Sequence, residues 1–280
     1  NVAWALNGEC ELWYETFGDR SDPALLMVHG LGSQSSNYQD AWCEMFAGEG
    51  LFVIRFDNRD VGLSTSFAGA PVGEAGNAYV LTDLASDAIA VLDTLGVERA
   101  HVMGLSMGGM IVQTLAIEHP HRLLSMTSVM SSTGEPEYGQ SAPEAFAQLT
   151  APPATDRESH VQRWIDGLRI WGSPEFFDEA RLRADAERSF DRAFTPDGTT
   201  RQFMAIRASV PRAERLREVA VPALVMHGSA DTLITPSGGE RTAELIPGAR
   251  FVLIEGMGHD YPPQLWRRWV DEVVGFIRSL

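Results

Sequence analysis

The sequence predicts an α/β protein in which a doubly wound parallel sheet is interrupted, late in the chain, by a helical insertion. Three observations carry this. Short continuous apolar runs ending in Gly or Asp, the pattern of strands buried on both faces, occur at Ala24–Val28 and Leu51–Phe56. Strand and helix patterns then alternate from residue 51 to residue 130. From about Ser131 to Arg217 the strand runs disappear, and they resume only at Ala223.

Taken in order, Glu11–Phe17 alternates roughly and carries Trp, Tyr, Thr and Phe, which fits an exposed antiparallel strand. Ala24–Val28 runs into His29-Gly30, and Leu51–Phe56 runs into Asp57. Leu81–Leu95 spaces Leu84, Ala85, Ala88, Ile89, Val91, Leu92 and Leu95 as one face of a helix, with Gly96 as its C-terminal stop. His101–Leu105 reads as a short strand, Met107–His119 as an apolar helix stopped by Pro120, and Leu123–Met130 as the next strand. Seven prolines, from Pro136 to Pro211, punctuate the following stretch between helix-like segments rich in Arg, Glu and aromatics, among them Trp164, Trp171, Phe176, Phe177, Phe190 and Phe203. Ala223–Met226 and Arg250–Ile254 return to the strand pattern, and Leu265–Ile277 is the closing helix. The expected organisation is core at 1–132, insertion at 133–217 and core again at 218–280. No internal repeat or low-complexity tract is present.

Composition narrows the function. With 44% hydrophobic and 21% charged residues, the 280-residue chain is too apolar for disorder. A net charge of -16 repels phosphate backbones and anionic lipid, so nucleic-acid and membrane-surface roles are disfavoured. Every one of the 22 basic residues is Arg, which excludes Schiff-base and lysine-nucleophile chemistry. Cys10 and Cys43 are too few for a disulfide framework and read as packed thiols in a reducing compartment. No apolar stretch reaches the roughly 18 residues of a membrane span, and no basic segment followed by an apolar run is seen, so a cytoplasmic protein is the default expectation.

The sharpest chemical feature is Gly104-Leu105-Ser106-Met107-Gly108, set between an expected strand and an expected helix. A serine at such a turn takes a strained backbone, and close neighbours must lack Cβ atoms for helix to pack on strand. Its hydroxyl then stands above the sheet edge beside a helix N-terminus that favours developing negative charge. A serine nucleophile needs a base. Of seven histidines, His259 is the candidate, because it follows Gly256-Met257-Gly258 after the last expected strand. His29, His101, His119, His121 and His160 have bland turn, strand or surface readings, and His227 is expected to shape the turn at its strand end. Asp231, beyond the strand that ends near Gly228, is the candidate acid that would hold the imidazole tautomer. The alternatives are an Asx-turn role for Asp231 itself, Asp260, whose side chain should diverge from its neighbour His259, and Asp57, which should support its own loop.

An oxyanion hole needs two N–H donors. Met107 supplies one at the helix start, and Leu31, in His29-Gly30-Leu31-Gly32, supplies the other. That turn fails as a dinucleotide site because Ser35 stands where the third glycine belongs. The sequence holds no H-E-x-x-H, C-x-x-C or phosphate-binding G-x-x-x-x-G-K-[ST] pattern, so zinc and nucleotide chemistry have no anchor.

Together, His29-Gly30-Leu31-Gly32, Asp57-Asn58-Arg59-Asp60-Val61-Gly62-Leu63-Ser64, Gly104-Leu105-Ser106-Met107-Gly108-Gly109, Asp231 and Gly256-Met257-Gly258-His259 resemble the α/β-hydrolase superfamily over essentially the whole chain. Through Glu11-Leu12-Trp13, Val53-Ile54-Arg55-Phe56-Asp57 and Pro222-Ala223-Leu224-Val225 the chain looks more narrowly like actinobacterial lipase/esterase-type hydrolases related to aclacinomycin methylesterase. The resemblance implies an eight-stranded, mostly parallel sheet with helices on both faces and a helical cap. It also implies a serine mechanism with no cofactor, acting on a carboxylic ester of a small or medium apolar molecule. Enol-lactone hydrolysis, C–C bond hydrolysis and perhydrolysis use the same three residues and stand as alternatives. A slow-turnover ligand receptor is the alternative of a different class. The sequence sets no oligomeric state.

Overall fold

A computed structural model describes residues 2–72 and 76–280. The strands are β1 (Val2–Asn7), β2 (Cys10–Phe17), β3 (Ala24–Val28), β4 (Phe52–Phe56), β5 (Ala100–Leu105), β6 (Leu123–Val129), β7 (Ala223–Gly228) and β8 (Arg250–Ile254). They form one eight-stranded sheet in the order β1-β2-β4-β3-β5-β6-β7-β8. β2 is antiparallel to β1 and β4, whereas β3 to β8 run parallel. This mostly parallel arrangement follows from the connections, since a parallel neighbour needs a crossover and most crossovers here are helical.

Helices cover both faces. On one lie α1 (Asp40–Ala47) and α10 (Pro263–Ile277), and on the other α2 (Leu81–Leu95) and α3 (Met107–Glu118). The buried strands explain the two layers: Leu25 and Met27 point into the α1/α10 side, Leu26 and Val28 into the α2/α3 side. Trp42 of α1 meets Trp269 of α10 edge-on with centroids 5.3 Å apart, and both are fully buried. Each such ring contributes a few kcal/mol, on the order of 25 cal/mol per Å² of apolar surface removed from water. α2 begins where Asp83 turns back to accept the Val80 N–H at 2.8 Å, and ends at Gly96 in the left-handed region (φ 68°).

β2 departs from the expected exposed strand. It lies inside the sheet between β1 and β4, and Leu12, Trp13 and Tyr14 are buried. Its alternation looked half-exposed because β1, an edge strand with Trp4 and Leu6 exposed, was not read from the sequence.

Between β6 and β7 no strand forms among the described residues. The segment folds as α4 (Pro143–Leu149), α5 (Arg157–Trp171), α6 (Glu179–Arg192), α7 (Pro196–Ala208) and α8 (Ala213–Leu216), an inserted helical cap. Two of its prolines start α-helices rather than break them: Pro143 and Pro196 occupy first-turn positions, where a missing N–H costs nothing. Asp156 caps α5 by accepting the Ser159 N–H at 2.8 Å, and Asp178 caps α6 by accepting the Arg181 N–H at 3.1 Å. Val161 and Ile165 of α5 pack on Leu182 and Ala186 of α6, with Trp164, Leu168 and Phe177 at the margin. Part of the insertion's aromatic content thus forms a small core of its own. α9 (Ser237–Leu245) bridges β7 and β8.

Candidate active site

Ser106 sits between β5 and α3 with φ 56° and ψ −116°, a conformation that L-residues avoid. The surrounding structure enforces it. A Cβ on Gly104 would lie 2.0 Å from the Gly108 carbonyl oxygen, and one on Gly108 would lie 2.2 Å from that of Val28. Only glycine at both places lets α3 start this close to the sheet. The Ser106 N–H donates to the Val129 carbonyl at 2.9 Å, and its own carbonyl accepts the Ser131 hydroxyl at 2.7 Å. Both ends of the turn are therefore tied to β6 or the residues just after it.

His259 reaches this serine from the loop after β8. Its Nε2 is 3.0 Å from Ser106 Oγ, and its Nδ1 is 2.7 Å from Asp231 Oδ2. Asp231 is buried, with Oδ1 accepting the Leu233 and Ile234 amides at 2.9 and 3.0 Å. Burial alone would push this carboxyl up. The charge of His259 and the contacts of His227 and His259 outweigh that and hold it below the usual carboxylate range. The structure thus brings Ser106, His259 and Asp231 into one hydrogen-bonded chain, although 125 and 28 positions separate successive members along the sequence (231 − 106 and 259 − 231).

The turn after β3 lies against the serine. A Cβ on Gly30 would be 3.3 Å from that of Ser106. Gly32, at φ 68°, sends its N–H to Gln202 Oε1 at 2.8 Å, and the Ser33 N–H closes back on the Gly30 carbonyl at 3.2 Å. The Leu31 N–H between them has no acceptor among the described residues. Met107 is the first residue of α3, so its N–H has no acceptor within that helix. These are the two amides singled out from the sequence. His29 beside them is not a competing base: burial, reinforced by the Arg55 and Arg192 cations, pushes its imidazole down to about 3 against a favourable Ser35 contact.

Asp57 does support its loop, and more. Its buried carboxylate accepts the Ser35 amide and hydroxyl at 2.7 Å and the Leu63 amide at 2.9 Å, and pairs with Arg192 of α6 at 2.8 Å. Asp60 is bound by Arg201 of α7 through two 2.8 Å contacts, and also accepts the Tyr79 hydroxyl at 2.6 Å. Asp260 diverges from its neighbour His259, as expected of adjacent loop residues, and accepts the Ser173 N–H at 3.0 Å. The Ser173 hydroxyl in turn accepts the Gly258 N–H at 2.9 Å, and the Trp171 carbonyl accepts that of His259.

Sequence reasoning missed these cap contacts: Gln202, Ser173, Arg192 and Arg201 lie in a segment whose periodicity reports only helix. It also treated His227 as a turn residue without noticing that it lies four positions before Asp231. Among the described residues no group of three or more His, Cys, Asp or Glu side chains is arranged to hold a metal. None of the helices of the described residues is long and apolar enough to cross a membrane.

Comparison with known proteins adds to this geometry. A family description of the alpha/beta hydrolase fold matches residues 23–261. The chain is 32% identical to the rhodomycin D methylesterase DauP of Streptomyces sp. (strain C5), over 91% of this chain and 90% of that protein. It is 33% identical to the rhodomycin D methylesterase DnrP of Streptomyces peucetius, over 91% of each. The crystal structure of the enol-lactonase from Burkholderia xenovorans LB400 superposes with a TM-score of 0.79 at 26% identity, covering 99% of this chain and 100% of that one.

Proposed function

The chain belongs to the α/β-hydrolase fold family, and on that premise we propose that it is a cofactor-free serine hydrolase of carboxylic esters, acting through an acyl-enzyme. The observation that carries the reading is the unbroken chain from Ser106 Oγ through His259 to Asp231, with contacts of 3.0 and 2.7 Å. Ser106 attacks the ester carbonyl carbon while His259 Nε2 takes its proton. Asp231 holds the imidazole by Nδ1 and stabilises the imidazolium. The Leu31 and Met107 amides hold the tetrahedral oxyanion, each donor being worth on the order of 10²–10³ in rate. His259 then protonates the departing alcohol and activates water against the acyl-serine. The likeness to two methylesterases makes methyl esters of small or medium apolar acids the first substrates to assay.

A second reading, enol-lactone hydrolysis, is favoured by the likeness to the enol-lactonase, since a lactone is a cyclic ester open to the same attack. Product analysis separates the two, because an ester releases an alcohol and a lactone does not.

The test is intact mass after incubation with a fluorophosphonate, beside Ser106→Ala. One adduct per wild-type chain, absent from the variant, is the expected result. An unlabelled wild type, or a labelled variant, overturns the reading.

A further inference from the structure

Asp231 has a second histidine beside it. His227, near the end of β7, is fully buried, and its Nε2 lies 3.3 Å from Asp231 Oδ2, the same oxygen that faces His259. The same Nε2 is 2.7 Å from the Ile234 carbonyl oxygen. A carbonyl can only accept, so the proton of this ring sits on Nε2. Nδ1 has no partner among the described residues and is the side that α9 covers, where a Cβ on Gly239 would come within 2.5 Å of it. Gly239 in the first turn of α9 thereby gains a reason: only a residue without a Cβ lets the helix close over the imidazole.

We propose that His227 is a positioning residue for Asp231, its Nε2–H shared between the Ile234 carbonyl and Asp231 Oδ2. This rests on the hydrolase reading above and deepens it. The Asp231 carboxylate is then fixed from three sides: Oδ1 by the Leu233 and Ile234 amides, Oδ2 by His259 and by His227. Because His227 also bonds Ile234, it braces the turn whose amides hold the opposite oxygen. With both oxygens assigned, the carboxylate cannot rotate, and His259 is presented to Ser106 at one angle. Asp260, the residue after His259, is spent on Ser173.

The experiment compares turnover of a p-nitrophenyl ester and the fluorophosphonate labelling rate in wild type, His227→Leu and His227→Gln. Glutamine presents an amide nitrogen where Nε2 stands; leucine fills the space without a donor. The expected result is a kcat lowered on the order of 10²-fold in the leucine variant with KM little changed, as for a small misplacement of a catalytic group. The glutamine variant should recover most of that loss, and labelling rates should follow the same order. A folded leucine variant with wild-type kcat, or a glutamine variant no better than leucine, overturns the proposal. Should the leucine variant fail to fold, His227→Asn replaces it, since its amide reaches the Nδ1 position instead, and equal activity of the asparagine and glutamine variants overturns the proposal as well. Wild-type protein that neither labels nor turns over removes the hydrolase reading and this inference together. An active wild type with an unaffected leucine variant removes this inference alone.

Discussion

Gln202, a fully buried side chain of the cap helix α7, accepts the Gly32 amide proton at 2.8 Å and donates to the Arg59 carbonyl at 2.8 Å. A residue of the insertion therefore closes the turn that carries Leu31 beside Ser106, the turn proposed to supply an oxyanion donor. Replacing Gln202 by Leu strands both backbone groups, which costs about 1–3 kcal/mol for each buried group left unpaired. The expected kinetic result is a kcat lowered on the order of tenfold to a hundredfold with a smaller change in KM, because an oxyanion donor acts mainly in the transition state. Michaelis parameters on one ester decide it, and an unchanged kcat would mean that the turn holds its shape without the cap.

Asp231→Asn should be far more damaging than its size suggests. The amide oxygen has to stay on the Leu233 and Ile234 N–H groups, because both only donate. That turns the NH₂ toward His259 Nδ1, where it selects the wrong imidazole tautomer. A kcat loss on the order of 10⁴ with an intact fold is expected. Near-normal turnover would place the acid elsewhere.

The buried pair Arg201–Asp60 fastens α7 to the loop after β4, with both side chains nearly inaccessible. Arg201→Leu leaves Asp60 buried with only neutral partners, a loss of about 3–5 kcal/mol in unfolding free energy. Adding Asp60→Asn to that variant should restore part of it, since the stranded charge disappears. Urea denaturation of the single and double variants measures the difference. Equal stabilities would show that the ion pair contributes specificity rather than strength.

Stability should also fall on mild acidification, through histidines that fold neutral. Burial, with Arg55 and Arg192 adding to it, pushes His29 down to about 3, and burial with Arg99 pushes His101 down to about 4. A depressed folded value means that the unfolded chain binds the proton first as pH falls. Their contribution is therefore complete above the ordinary histidine value of 6.5 and is lost as pH drops toward about 4 for His101 and about 3 for His29. His29 Nε2 accepts the Tyr38 N–H at 3.2 Å; His29→Gln, which keeps an acceptor there, should show a shallower fall of the urea midpoint between about pH 7 and 5 than wild type. Parallel curves would remove His29 as a source of acid sensitivity.

Local patterns carried most of the core. Ala24–Val28, Leu81–Leu95 and Arg250–Ile254 form with the boundaries their apolar spacing suggests, and the G-x-S-x-G turn falls between strand and helix. β1, α1 and α9 were not legible, because a two-stranded edge and two short helices present too few periods to stand out.

By itself the sequence determined the alternating fold, the strained serine turn and the residue types able to serve it, since period and glycine spacing are local properties of the chain. The sequence also singled out His259 among seven histidines, but only the tertiary structure put its ring 3.0 Å from Ser106 and His227 behind Asp231. It alone also showed that the cap holds the turn after β3 through Gln202 and the His259 loop through Ser173. The physical reason is that hydrogen bonds across 85 to 170 residues leave no periodicity behind. Their partners become neighbours only after two apolar layers have closed over the sheet.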